Sequence, residues 1–210
     1  AHAGALINAA IGAATVGLLV LAGHAWGGKA RSSLLVALAF AFAPLPWSQA
    51  TIAEVFALNA TLAAAIVWLS APRSPISRPR LRAAVLGGLA GLALSNHPSA
   101  VWLAPIGVYG VFRDARRATD LGLRAGLALT AFVVALAPYA LIFVFDGGAW
   151  TWGTFDSMQD VVNHALRRDF GTFSLGIYDD SPSLWAQWAF LGETLVRNLH
   201  LLWVPVGLGA

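Results

Sequence analysis

"GALINAAIGAATVGLLVLAGHAW" (residues 4–26) runs straight into "GGKARSS" (residues 27–33), and this junction decides the fold class. An apolar stretch of this length spans roughly 30 Å of hydrocarbon as a helix rising about 1.5 Å per residue. Lys29 and Arg31 then close it with positive charge. The same alternation recurs along the chain. Apolar residues 34–47 are interrupted by "PLPW", and residues 49–70 lead into "APRSPISRPRLR" with Arg73, Arg78, Arg80 and Arg82. Residues 83–112 are apolar but broken at "SNHPS". After "RDARRATDLGLR", residues 125–145 form another span, and the polar stretch 146–183 precedes a last apolar run from Leu184.

Composition points the same way. Of 210 residues, 58% are hydrophobic and 11% charged, against roughly 25% charged in a soluble domain. Mean hydropathy is +0.70. The net charge of +3 is a topology signal, since no basic stripe with interleaved aromatics suggests a nucleic-acid partner. The absence of cysteine excludes disulfides and thiolate metal sites within these residues. The chain starts without a charged leader, and both ends read as cuts through a longer membrane protein.

Ten of the thirteen Lys and Arg residues fall in the clusters 29–31, 73–82 and 113–124. The positive-inside rule places these clusters in the cytoplasm and the Asp-rich stretch 146–183 outside. Parity then requires "PLPWSQ" and "SNHPS" to be turns near the outer face. Residues 34–47, 83–95 and 98–112 become short helices of about 20 Å, tilted or grouped around a water-filled recess. Residues 48–54, Asn96–His97 and 150–175 all converge on the outer side. "GGLAG" (Gly87, Gly88, Gly91) and Gly122/Gly126 have the spacing of close helix packing. The expected fold is all-α: a polytopic transmembrane bundle with short broken helices and an outer interfacial helix. Its organisation is a bundle over 1–145, an extracytoplasmic loop over 146–183, and the start of further membrane helices over 184–210.

Glu54 is the one acid inside a spanning segment. Such a charge costs about 2.5–3.5 kcal/mol on insertion scales and is functional or paired; Thr51 and Thr61 are expected on its helix face. Asn96 and His97 precede Pro98, which cannot continue a helical ladder. They either face the recess or simply tie off the turn. In "WGTFDSMQDVVNHALRRDFGTFSL" (residues 152–175), Asp156 as N-cap predicts a helix over 157–169. Asp160, Asn163, His164 and Arg167 fall on one side, Met158, Val161, Val162, Ala165 and Leu166 on the other, and Arg168 at the boundary. Such a helix can merely cover an edge of the bundle. However, His164, Arg167 and Arg168 also suit an anionic phosphate, which guanidinium meets with paired hydrogen bonds. Trp150, Trp152, Trp185 and Trp188 read as interface aromatics, with stacking of a Trp on a sugar ring the alternative.

Three segments together carry a family resemblance. "SQATIAEVFALNATLAAAIVWL" resembles an "SQA…AEVY.LN" helix, with Phe56 in place of tyrosine. "GLALSNHPSAVWLAP" is similar to "G.ALGNHH", with Pro98 for the second histidine. "WGTFDSMQDVVNHALRRDFGT" is similar to "WG…T…F..HV.R..YGT", with Phe170 for tyrosine. The chain thus resembles the membrane-embedded O-mannosyltransferase-like family of the GT-C glycosyltransferases over about residues 4–175. The resemblance implies a GT-C fold that transfers a sugar, mannose being a candidate, from a polyprenyl-phosphate carrier to an acceptor hydroxyl outside the cytoplasm. Carried over position by position, Glu54, Asn96, His97, Trp152, Gly153, His164, Arg167 or Arg168, and Gly171 match the motifs. The resemblance also implies that the catalytic acid sits in a first outer loop before residue 1, so no catalytic residue is assigned here.

The expected partners are a polyprenyl-phosphate-linked sugar, an acceptor protein or glycan, and membrane lipid, without nucleic acid. No cofactor is called for, and a divalent cation is left open. The family's bacterial members suggest a bacterial inner membrane. The rival reading is a transporter or flippase, or a scaffold that binds lipid-linked sugars. Broken helices fit a transporter, although no inverted repeat is visible. An Asp or Asp-Glu pair in an outer loop before residue 1 would favour the transferase.

Overall fold

The computed structural model describes residues 2–52, 55–144, 157–165, 168 and 183–199. Within them the chain is helical throughout: α1 (His2–Ala25), α2 (Ala30–Ala41), α3 (Pro44–Thr51), α4 (Phe56–Ser70) and α5 (Pro79–Asn96) come first. A 3-10 turn (Pro98–Leu103), α6 (Ala104–Phe112), α7 (Ala118–Val134), α8 (Ala137–Val144), α9 (Met158–Ala165) and α10 (Leu184–Leu199) follow. The segments Ala3–Ala25 and Ala118–Tyr139 are long and apolar enough to cross a membrane, and the bent pair α2–α3 makes a third candidate. The protein is an all-α membrane helix bundle.

Local chemistry sets the helix ends. α1 stops because Gly27 takes φ +101°, a conformation glycine adopts without a Cβ penalty. The Gly28 amide then reaches Gly23 O at 2.9 Å and the Gly27 amide reaches His24 O at 3.0 Å, the paired bonds of a Schellman cap. α3 opens with Pro44 at its first position, where the missing N–H costs nothing. α5 likewise opens on Pro79 and stops before Pro98.

All three basic clusters meet at one end of the bundle, as charge segregation requires. The Arg73 amide donates to Ala25 O at 3.2 Å, and Arg113 Nη1 donates to Ala71 O. Arg80 pairs with Asp120 at 3.7 Å. The core lies where α4, α5 and α6 meet, around Ile66, Leu69, Leu86 and Val111. α5 and α7 pack so closely that a Cβ on Gly87 would strike the Ala128 backbone and one on Gly91 the Phe132 carbonyl. Gly122 and Gly126 behave differently: a Cβ there meets nothing within 4 Å, so their spacing marks no contact among the described residues.

Several sequence expectations are corrected. "PLPWSQ" is not a turn; the chain kinks by 64° between α2 and α3, and the prolines start a new helix. Residues 49–70 do not form one helix, because α3 ends at Thr51 and Ile52 is extended (φ −112°, ψ 153°). Thr51 and Thr61 therefore share no helix face. Thr51 Oγ1 donates back to Trp47 O and Ser48 O at 3.3 and 3.0 Å, a back-bonding that bends helices. α5 begins at Pro79 rather than at residue 83, so its 18 residues reach about 27 Å, and Arg80 and Arg82 ride on its first turn.

Candidate functional site

The end opposite the basic clusters carries the polar groups. Two asparagines hold the backbone on either side of the α3–α4 break. Asn8 of α1, 8% exposed, donates from Nδ2 to Ile52 O at 2.6 Å. Asn96, at the end of α5, donates from Nδ2 to Val55 O at 3.1 Å. In lipid a carbonyl outside a helical ladder, as at the extended Ile52, needs such a partner, whereas Val55 O already accepts from the Asn59 amide at 3.0 Å and takes the Asn96 bond in addition. Glu54 sits between these two anchored carbonyls in the sequence and lies outside the described residues, as do Trp152, Gly153, Arg167 and Gly171.

The Asn96–His97–Pro98 turn is built around one imidazole nitrogen. His97 is extended (φ −157°, ψ 134°) and its side chain caps the 3-10 turn. The Ser99 amide donates to Nδ1 at 3.2 Å, and Ser99 Oγ lies 2.8 Å from the same atom. Accepting the amide proton requires an unprotonated Nδ1, so the geometry selects the neutral ring with its proton on Nε2. Asn59 Nδ2 donates to Ser99 Oγ at 3.2 Å, and the Phe56 ring lies 5.4 Å from the imidazole. The structure brings Asn96 and His97 against residues 55–59; the expected convergence with residues 48–54 turns on Glu54, which lies outside the described residues. The structure adds Asn8, Asn59 and Ser99, none of which the sequence reading singled out. An intramembrane asparagine in "ALINAAIG" was the available signal for Asn8.

Beside the break lies a cavity of about 360 Å³ between α1, α3 and α4, lined by Gly12, Trp47, Gln49, Phe56 and small residues. Gln49 Oε1 is buried there without a hydrogen-bond partner among the described residues.

The third expected element is described in part. α9 covers Met158–Ala165 with Ser157 as its N-cap; Asp156 and residues 166, 167 and 169 of the expected helix lie outside the described residues. Ser157 N and Oγ both donate to Asp160 Oδ2, at 2.8 and 2.7 Å, and the Asp160 amide faces Ser157 Oγ at 3.3 Å. This reciprocal capping box ties Asp160 to its own helix end. Val161 is buried while Met158 is exposed. His164 is half-buried on the last turn. Arg168 is exposed, with Nη1 donating to Asn163 Oδ1 at 3.2 Å, and Gln159 Nε2 donates to the same oxygen at 3.0 Å. α9 packs on α8, and α8 on α5, where the Tyr139 hydroxyl donates to Leu94 O at 3.4 Å. α9 is thus linked to α5 through α8. Among the described residues no three His, Asp or Glu side chains are placed to hold a metal ion; Glu54 and Asp146, Asp156, Asp169, Asp179 and Asp180 lie outside them.

Comparison with known proteins bears on this site. No solved structure matches the chain. A mouse protein, "Protein O-mannosyl-transferase TMEM260", is 29% identical over 178 residues, which cover 81% of this chain and 25% of that relative. The chain thus spans about a quarter of the relative's length. The family model described as the protein O-mannosyl-transferase TMEM260 N-terminal domain matches residues 5–120, the stretch from α1 to the start of α7 that contains both asparagine anchors and the His97 turn. By that match, which takes in more than half its length, the chain belongs to the TMEM260 N-terminal domain family of protein O-mannosyl-transferases.

Proposed function

We propose that this chain is the donor-side part of a membrane glycosyltransferase of GT-C type. It moves a sugar, mannose by analogy with the mouse relative's name, from a polyprenyl-phosphate carrier to an acceptor hydroxyl on a protein or glycan. The site is on the extracytoplasmic side, with residues 1–145 as bundle, 146–183 as outer loop and 184–210 as the start of further membrane helices. The observation that carries this reading is the helix break at residues 52–55, anchored on both sides by Asn8 and Asn96. It ties down the end of α3 and the start of α4 at the end of the bundle opposite the basic clusters, in a family whose matched relative is named as an O-mannosyl-transferase. The relative is a mouse protein and gives no support to a bacterial inner membrane.

In the reaction the bond between the anomeric carbon and the carrier phosphate breaks, and the acceptor oxygen bonds to that carbon. The hydroxyl proton passes to a base that we do not assign to these residues. Negative charge grows on the leaving phosphate, and fixed cationic donors in a low-dielectric site stabilise it without reorganising. In this reading His164, Arg167 and Arg168 supply that charge, and Glu54, Trp152, Asn96 and His97 complete the donor-binding set.

The test is transfer from a polyprenyl-phosphate sugar by membranes containing the full-length protein. Arg167→Ala and Arg168→Ala should each slow transfer roughly ten- to a hundredfold, the worth of a charged hydrogen bond of about 1.5–3 kcal/mol. Lysine should rescue only in part, since it lacks the planar fork. Full activity in the double alanine variant would remove both arginines from the site. Donor binding without any transfer, in a protein that still moves lipid-linked sugar across the bilayer, would favour the flippase reading that the kinked α2–α3 pair also fits.

A further inference from the structure

The basic end of the bundle holds more than a topology signal. Arg82, Arg113 and Arg124 have side chains only 3%, 7% and 4% exposed. Arg82 Nε donates to Gly110 O at 2.9 Å and pairs with Asp114. Arg124 donates to Val111 O at 3.3 Å and to Asp120 at 2.5 Å. With Arg80 on Asp120 and Arg113 beside Asp114 at 3.5 Å, four guanidinium groups share two carboxylates. Among the described residues the buried Nε atoms of Arg113, which faces Asp114 Oδ2 at 3.5 Å, and Arg124 have no hydrogen-bond partner, and four guanidinium charges against two carboxylates leave the cluster with surplus positive charge. Burial, and after it the neighbouring Arg82, lowers the Arg113 pKa from its ordinary value, yet a guanidinium stays charged in a protein. Arg116 and Arg117, in the loop between α6 and α7, are exposed and make no ion pair among the described residues.

Directly against this cluster lies a cleft of about 460 Å³ between α5, α6 and α7, lined by apolar residues such as Leu86, Val108, Val111, Leu129 and Phe132. The two features meet at Val111, which lines the cleft while its carbonyl accepts from Arg124. Gly107 opens the cleft further, because a Cβ there would meet only Ile66 Cγ2, at 3.9 Å. An apolar slot ending in surplus positive charge has the amphipathic order of a phospholipid. Basic pockets between membrane helices hold anionic headgroups in this way.

We propose that this end binds one anionic phospholipid, its phosphate on Arg116 and Arg117 in the field of the buried arginines and its acyl chain in the α5–α6–α7 cleft. The headgroup end of this site lies at the opposite end of the bundle from the Asn96–His97 turn, toward which the cleft extends at Leu94, Ala100 and Val101, and it does not depend on the sugar-transfer reading.

The test uses purified full-length protein in phosphatidylcholine nanodiscs, with and without phosphatidylglycerol, read by thermal unfolding and by native mass spectrometry of retained lipid. Phosphatidylglycerol should raise the unfolding midpoint and remain bound. Arg116→Ala/Arg117→Ala should weaken its retention about thirtyfold, the factor two surface arginines are worth, with an unchanged midpoint in phosphatidylcholine alone. The double lysine variant should keep the preference, which separates charge from local folding. Gly107→Leu should fill the cleft and expel the lipid. Equal retention of phosphatidylcholine, an equal shift from inorganic phosphate, or full retention of phosphatidylglycerol in the double alanine variant would each overturn the site. Retention in Gly107→Leu would overturn the acyl-chain placement and indicate another occupant, such as a further helix of the protein.

Discussion

Replacing Asn8 with leucine removes the amide that bonds Ile52 O and keeps a branched side chain with the same number of heavy atoms, so it tests what the amide does. Its Nδ2 lies 2.6 Å from Ile52 O, and Ile52 is extended, so this carbonyl belongs to no helical ladder. Hydrogen bonds between membrane helices average only about 0.6 kcal/mol, because the separated helices find other partners. A buried acceptor left without a partner costs about 1–3 kcal/mol. The larger figure applies here, since non-helical backbone in lipid has no internal alternative. Asn8→Leu should therefore cost about 1.5 kcal/mol, roughly a tenfold shift in the folding equilibrium. Thr15→Val is the matched control. Thr15 Oγ1 meets Thr61 Oγ1 at 2.6 Å, but both hydroxyls also have backbone carbonyls within reach, Ile11 O for Thr15 and Ile11 O and Ala57 O for Thr61. No backbone group depends on either of them, and the loss should be about 0.5 kcal/mol. Unfolding of the full-length protein in mixed micelles, titrated with a denaturing detergent, measures both. If Asn8→Leu proves as mild as Thr15→Val, the break is held by something other than its asparagines.

Two further perturbations test the packing and the outer helix. Gly87→Val should destabilise by about 1–3 kcal/mol, the usual cost of overpacking, because its Cβ meets the Ala128 backbone. The neighbouring Gly88→Ala meets nothing within 4 Å and should be neutral or stabilising by up to about 1 kcal/mol; the same unfolding titration separates them. Ser157→Ala removes the α9 capping box, worth about 1 kcal/mol, and should speed hydrogen exchange at the Val161 amide, whereas unchanged exchange would show that packing on α8 alone holds the helix.

The bundle was legible because its signal is compositional. The clusters around Lys29, Arg73 and Arg113 alternate with apolar runs, and no tertiary detail can reverse that pattern. The Gly87/Gly91 contact was legible for the same reason, though spacing alone could not separate it from Gly122/Gly126. The break at residues 52–55 was hidden because "SQATIAEVF" contains no glycine or proline. Threonine back-bonding and two distant asparagines make it, and Asn8 and Asn96 meet this segment only in three dimensions. The Ser157 cap was written in "SMQD", but the adjacent Asp156 offered an equally good cap, and local sequence does not choose between them. Asn59 and Ser99 became part of the site only once α4 and the 3-10 turn were packed together.

The most direct measurement places a single cysteine at exposed Ser99, beside His97, in full-length protein otherwise free of reactive cysteine. A membrane-impermeant maleimide should label S99C in intact cells or sealed vesicles from the outer side, while S77C at the basic end stays protected. Adding a polyprenyl-phosphate sugar should then slow S99C labelling severalfold, and adding the free sugar should not. Labelling of S99C only after permeabilisation, or at an unchanged rate with saturating donor, would contradict an outer donor site at the Asn96–His97 turn.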